Sequence, residues 1–370
     1  MPMDEAKKKL LYDACSGNDY ETFIGNWDIS EIDTALDDQG NTALHIAASH
    51  DHADLVRFLL LCHASPTKRN NEEKTPEEMA SDDEIKEMFK AEIRPSPTTE
   101  AENRFVGNPD ELEPIEWLDS YNNAYRIAYE NHEHMKRWIT RVPLRKLLDE
   151  LRNNYIQKMK FSTDGNLEKI IEFIDEAIKK NDLIKLITLY TNPIPFCSRL
   201  NEDLAKLGSD FRFVSTQLDS PDNEAPKDLG QYIFASLLVN HQAFRRFQKT
   251  AKTYRGMNVY EQDLKEYAEN KIVITRSFLS TSKKRSVAEI YLGFEDSAKG
   301  PAVMCIYNVS NPRSSLHIQR YSRFPIEAEV LIVPFVAFKI TSVKKEIVKR
   351  AGKDQTLTTI ELVECEQNPK

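Results

Sequence analysis

The first part of the chain repeats itself at a spacing of 33 residues, and no other feature narrows the possible folds as much. Leu11, Ala14 and Phe23 recur as Leu44, Ala47 and Val56; Thr42 and Ala47 recur as Thr75 and Ala80. A fixed spacing of that length belongs to stacked two-helix units, each too small to bury its own apolar face, so that neighbours complete the core. The central unit is the most complete: Gly40-Asn41-Thr42-Ala43-Leu44-His45-Ile46-Ala47-Ala48, then His52, Leu55-Val56, Leu59-Leu60 and Ala64. Thr42 is placed to cap the first helix, and the His45 ring to bond neighbouring turn backbone. The unit before it lacks the Thr-x-Leu-His turn and the one from Thr75 is rich in charge, so both are expected to cap the central one.

These residues resemble an ankyrin repeat. The pattern departs from that family where Asp51 and His63 stand at positions usually held by glycine. The resemblance implies a short helical solenoid over 1–92 and a possible docking surface for a protein partner. A polar stretch with Pro95, Pro97, Thr98 and Thr99 follows, giving a linker over 93–118 and suggesting separable units. Apolar residues three and four apart (Leu144, Leu147, Leu148, Leu151, then Ile170, Ile174 and Ile178) predict a helical connector over 119–182. Past residue 250 the character changes. Strand-like runs occur at 271–278, 301–309, 329–343 and 356–363, so helices precede strands in a multidomain α+β arrangement.

A chain of 370 residues with 40% apolar content supports two domains with linkers. The formal net charge of -9 argues against nucleic acid as partner, because phosphate binding needs a basic face. The five cysteines are scattered, with no Cys-x-x-Cys, and the histidines do not cluster with carboxylates, so no metal is expected. The opening residues Met1-Pro2-Met3-Asp4-Glu5 lack an apolar signal core, and no window reaches the length of a membrane span. A reduced, intracellular, cytoplasmic protein is the expectation.

Three short motifs carry the chemistry. Arg255-Gly256 follows a helical tract; Ser280-Thr281-Ser282 ends a strand-like run after Phe278; Glu327-Ala328-Glu329 follows Phe324-Pro325 and leads into Val330-Leu331-Ile332-Val333. If Glu327 and Glu329 lie on one strand they share a face. Two like charges that close need a reason, and a cationic partner that uses two anionic oxygens is one.

Arginine, Ser-Thr-Ser and Glu-x-Glu, in that order, resemble the Arg-Ser-Glu class of mono-ADP-ribosyltransferases. The resemblance implies a catalytic domain over 183–366, a helical lobe followed by a split β-sandwich, opened by a helix-starting turn at Leu189-Tyr190-Thr191. It implies NAD as co-substrate and an acceptor protein with an exposed arginine. Glu329 would stabilise the ribosyl cation, Glu327 take the acceptor, Arg255 bind the NAD pyrophosphate, and Ser280 orient Glu329 or bind ribose. Gly256 would let backbone approach the nicotinamide, Tyr291 would pack on it, and Phe324 would help present the acceptor. Hydrolysis of NAD by water, or an inactive ankyrin adaptor, stand as alternatives to transfer onto arginine.

Overall fold

The computed structural model describes residues 3–19, 22–23, 26–27, 31–61, 64–90, 117–118, 124–161, 166–192, 194–207, 225, 227–259, 261–265, 267–292, 300–322, 324–350 and 353–365. His63 and nearly all of the expected linker lie outside them.

The repeat folds as its pattern predicts. Helix α1 (Glu5–Ser16) precedes the central pair α2 (Ala43–Ser49) and α3 (Ala53–Leu61), and α4 (Pro76–Met79) and α5 (Asp83–Lys90) close the stack. Their shared core holds Leu11, Phe23, Leu44, Ala47, Val56, Leu59 and Ile85, all fully buried. The Thr42 amide donates to His45 Nδ1 at 3.2 Å, which makes Nδ1 the acceptor and leaves Nε2 to donate to the Lys74 carbonyl at 3.1 Å. One ring therefore ties its own helix start to the next repeat. Asp51 takes the left-handed conformation that glycine usually supplies (φ 54°), and Oδ1 accepts from the Ser81 and Asp82 amides. A short polar side chain tolerates that conformation, and here it gains two contacts to the following unit.

Strand β1 (Trp117–Leu118) is followed by α6 (Ala124–Arg141), α7 (Leu144–Glu150), α8 (Asn166–Lys180), α9 (Lys185–Tyr190), α10 (Phe196–Leu207) and α11 (Gly230–Asn240). Between α7 and α8 the helix widens to a π turn at Leu151–Tyr155. Tyr190-Thr191 ends a helix instead of starting one: Thr191 turns its hydroxyl back to the Ile187 carbonyl, and the next helix begins at Phe196. Helix α11 is buried all along from Gly230 to Val239, which its apolar circumference requires.

The strands are β2 (Ala251–Asn258), β3 (Ile272–Thr275), β4 (Leu279–Ser282), β5 (Ala302–Val309), β6 (Ser315–His317), β7 (Glu329–Ile332), β8 (Ala337–Arg350) and β9 (Lys353–Glu364). Short helix α12 (Arg285–Ile290) follows β4. The run expected over 329–343 is two strands, broken where Phe335 turns to φ 65° and buries its ring against Tyr232.

Sheet order is β1-β3-β8-β9-β5-β2-β4-β7-β6. Pairing is antiparallel except between β5 and β9. Strands β2 and β4 meet only at Tyr254–Ser282, so the array opens there into two parts, as a split sandwich requires. A single core takes in Trp138 and Leu148, helices α9 to α11, and strands from both parts. It runs unbroken across the expected boundary at residue 183.

Candidate active site

The three motifs converge where the sheet opens. Strand β4 lies between β2 and β7, so its residues can touch both neighbours. Ser280 is two positions from Ser282, the residue that pairs with Glu329. The side chains of Ser280, Ser282 and Glu329 therefore fall on one face.

Glu329 is 5% exposed, and both its oxygens are held: Ser280 Oγ donates to Oε1 at 2.7 Å and Ser322 Oγ donates to Oε2 at 2.8 Å. The Phe324 amide donates to Ser322 Oγ at 3.2 Å, which directs the Ser322 proton toward the carboxylate. Ser322 was not singled out from sequence. It lies on the loop before the glutamates, seven positions from Glu329, and only the folded loop brings it there. Behind the site Tyr190 is wholly buried, T-shaped on Phe278 with ring centroids 5.3 Å apart, and its hydroxyl accepts from Asn201 at 3.1 Å. Burial foremost pushes the Tyr190 phenol well above its ordinary value, and the Glu329 charge adds to this.

Glu327 is arranged differently from the expectation of one strand face. Pro325–Glu327 form a single 3-10 turn, Ala328 is left-handed (φ 48°, ψ 44°), and only Glu329 begins the strand. Proline at the first turn position and the Ser282 hydroxyl bond to the Glu327 carbonyl at 2.6 Å hold the turn. Two opposite backbone conformations thus separate the carboxylates: Glu329 sits inside, while Glu327 sits at the rim, partly exposed. Tyr291 Oη donates to Glu327 Oε1 at 2.9 Å, so the structure brings Tyr291 to the rim glutamate. Phe324 is partly exposed at the start of the same turn.

Arg255 is 3% exposed on β2, and its Nη1 donates to the Ser280 carbonyl at 3.3 Å. Gly256 has a structural reason of its own: a Cβ there would lie 1.9 Å from the Ala288 carbonyl oxygen, so only glycine lets α12 pack against β2. Thr281 Oγ1 donates to the Val330 carbonyl at 2.6 Å and the Lys284 amide donates to Ser282 Oγ at 3.0 Å, so both side chains fasten β4 to what surrounds it.

A buried carboxylate held by two hydroxyls, a second carboxylate at the rim and a buried arginine thus gather where the sheet parts. The chain matches the ADP-ribosyltransferase exoenzyme family over residues 144–364 and the ankyrin repeat family over 39–71. The first match covers more than half of the chain, and the chain belongs to the ADP-ribosyltransferase exoenzyme family. It carries an ankyrin repeat N-terminal to that region.

Similar solved structures include the type III effector XopAI from Xanthomonas axonopodis pv. citri, at 12% identity and a TM-score of 0.37, covering 67% of this chain and 95% of that one. Another is the ADP-ribosyltransferase HopU1 of Pseudomonas syringae pv. tomato, at 13% identity and a TM-score of 0.35, covering 66% and 98%. A third is exoenzyme S from Pseudomonas aeruginosa, solved with human 14-3-3 protein beta and carba-NAD, at 15% identity and a TM-score of 0.32, covering 58% and 88%. No curated protein sequence matches the chain. Among the described residues no helix is long and apolar enough to cross a membrane.

Proposed function

We propose that this ADP-ribosyltransferase uses NAD to modify an arginine side chain of a protein. The observation that carries the reading is the pairing of a buried, doubly held Glu329 with a rim carboxylate two residues before it, on a turn that aims it outward.

In such a transfer the bond between ribose C1′ and the nicotinamide nitrogen breaks, and its electron pair leaves with neutral nicotinamide. The ribosyl group becomes oxocarbenium-like, the species that carboxylates stabilise in glycosidases. Glu329, fixed by Ser280 and Ser322, supplies that charge without having to reorganise. Arg255 binds the pyrophosphate through its planar fork. The guanidinium must lose a proton to attack C1′. Glu327 bonds it, orients one nitrogen and takes the proton. Water in the guanidine's place would give NAD hydrolysis.

The test is to incubate the chain with NAD and agmatine, a small guanidine, and to measure free nicotinamide and labelled agmatine together. Both should form. Glu327→Gln should abolish labelling of agmatine and keep nicotinamide release, because the cation still forms while the guanidine loses its base. If labelling and release fall in proportion, Glu327 does not select the acceptor.

A further inference from the structure

The ankyrin repeat and the transferase meet at the acceptor side of the site. Val287 of α12 is 2% exposed and is part of the ankyrin core, with Ile290 packed against it. Helix α3 lies alongside the turn Pro325–Glu327. The two points of attachment are the two ends of one hydrogen bond: Tyr291, which caps α12, donates to Glu327, which closes the turn. Helix α12 is also fixed from the far side, where Ala288 sits on Gly256 of β2.

We infer that the ankyrin repeat is a specificity-determining part of the acceptor site, setting the position of Glu327 through Val287 and Tyr291 on one side and through α3 on the other. The backbone of the turn is fastened to β4 by the Ser282 hydroxyl on the Glu327 carbonyl and the Lys283 amide on the Ala328 carbonyl, and these bonds leave the Glu327 side chain to be placed by its own contacts. Its carboxylate must still be placed to within a fraction of an ångström to orient a guanidine nitrogen. Glu329 has its own support from Ser280 and Ser322. The Glu327 carboxylate meets Tyr291, at the end of the helix whose Val287 lies in the ankyrin core. Loosening the repeat should therefore harm transfer more than cleavage of NAD. This inference rests on the arginine-acceptor reading above.

The experiment uses the full chain with Val287→Asp, which buries an unpaired charge at the junction, and Val287→Ala, which only opens a small cavity. Agmatine labelling and nicotinamide release into water are measured for each folded variant. For Val287→Asp the ratio of labelling to release should fall about tenfold, with release within about twofold of the unmodified chain. For Val287→Ala the ratio should fall about threefold. An unchanged ratio in either folded variant, or a parallel fall of both rates, overturns the inference; should Val287→Asp not fold, Val287→Ala decides. Failure of the unmodified chain to label agmatine overturns the arginine reading itself, and with it this inference; it is told apart because it is seen before any variant is made.

Discussion

Glu329 and Ser322 show how differently two residues of one site are written in a sequence. The glutamate stands in a motif, and the order Arg255, Ser280, Glu329 is enough to propose a role for it. Replacing it by glutamine keeps the volume and one acceptor oxygen, turns the other oxygen into an NH2 that meets a serine hydroxyl as a donor, and removes the negative charge. Nicotinamide release should drop by several orders of magnitude in a protein with an unchanged circular dichroism spectrum. Near-normal release would remove Glu329 from the mechanism. Ser322 has no motif, because a serine in a loop is common and its partner is reached only through the turn that follows. Ser322→Ala leaves one oxygen of a buried carboxylate without its donor, a loss of about 1.5–3 kcal/mol for a hydrogen bond to a charged group. The turnover number should fall about ten- to a hundredfold while the KM for NAD changes little. A change confined to KM would mean that Ser322 serves binding alone.

At the scale of elements, period and end signals were readable where the chain decides locally. The Thr42–His45 start of α2, the closing unit from Thr75 and the apolar stripes of α7 and α8 follow from spacing alone. The break between β7 and β8 has a signal that the apolar run hides: Pro334 stands in it, and a proline argues against one continuous buried strand from Val330 to Phe338. Glu327 and Glu329 were placed on one strand for a similar reason, since period two holds only if the backbone stays extended, and the Pro325 turn ends that condition.

The His45 ring makes the ankyrin unit acid-sensitive. Burial holds its pKa below the ordinary value of 6.5, against the pull of the Lys74 carbonyl. On acidification the unfolded chain takes up the proton first. The stability this neutral ring contributes is therefore present above pH 6.5 and is lost as the pH falls from there through the folded value. His45→Gln should lower stability at pH 7.5 by about 1–2 kcal/mol, for the lost contacts, and should make urea unfolding of the repeat less steep in pH between 7.5 and 5. An unchanged pH slope would assign the acid sensitivity to another group.

At the scale of the whole molecule, the polar, proline-bearing stretch between the repeat and the helices suggested units that could be cut apart. The packing of Val287 and Ile290 into the ankyrin core points to dependence instead. A chain shortened to begin at Asn108 uncovers both side chains and removes α3 from the turn Pro325–Glu327. It should melt at a lower temperature than the full chain, still release nicotinamide, and label agmatine poorly relative to that release. Full labelling by the shortened chain, measured beside its melting curve, would show that the repeat serves only as a dock for partners.

By itself the sequence determined the ankyrin repeat, the order of helices and strands, and the three motifs that mark an ADP-ribosyltransferase, because each is set by neighbours a few residues apart or by a spacing that one helix pair or one strand imposes. What only the tertiary structure decided is which groups from distant segments meet: Ser322 on the second oxygen of Glu329, Tyr291 on Glu327, Ala288 over Gly256 and Val287 in the ankyrin core. Those contacts depend on how the sheet parts between β2 and β4 and on how α12 is seated against it. That geometry arises from the packing of the whole core, and no local pattern of residues encodes it.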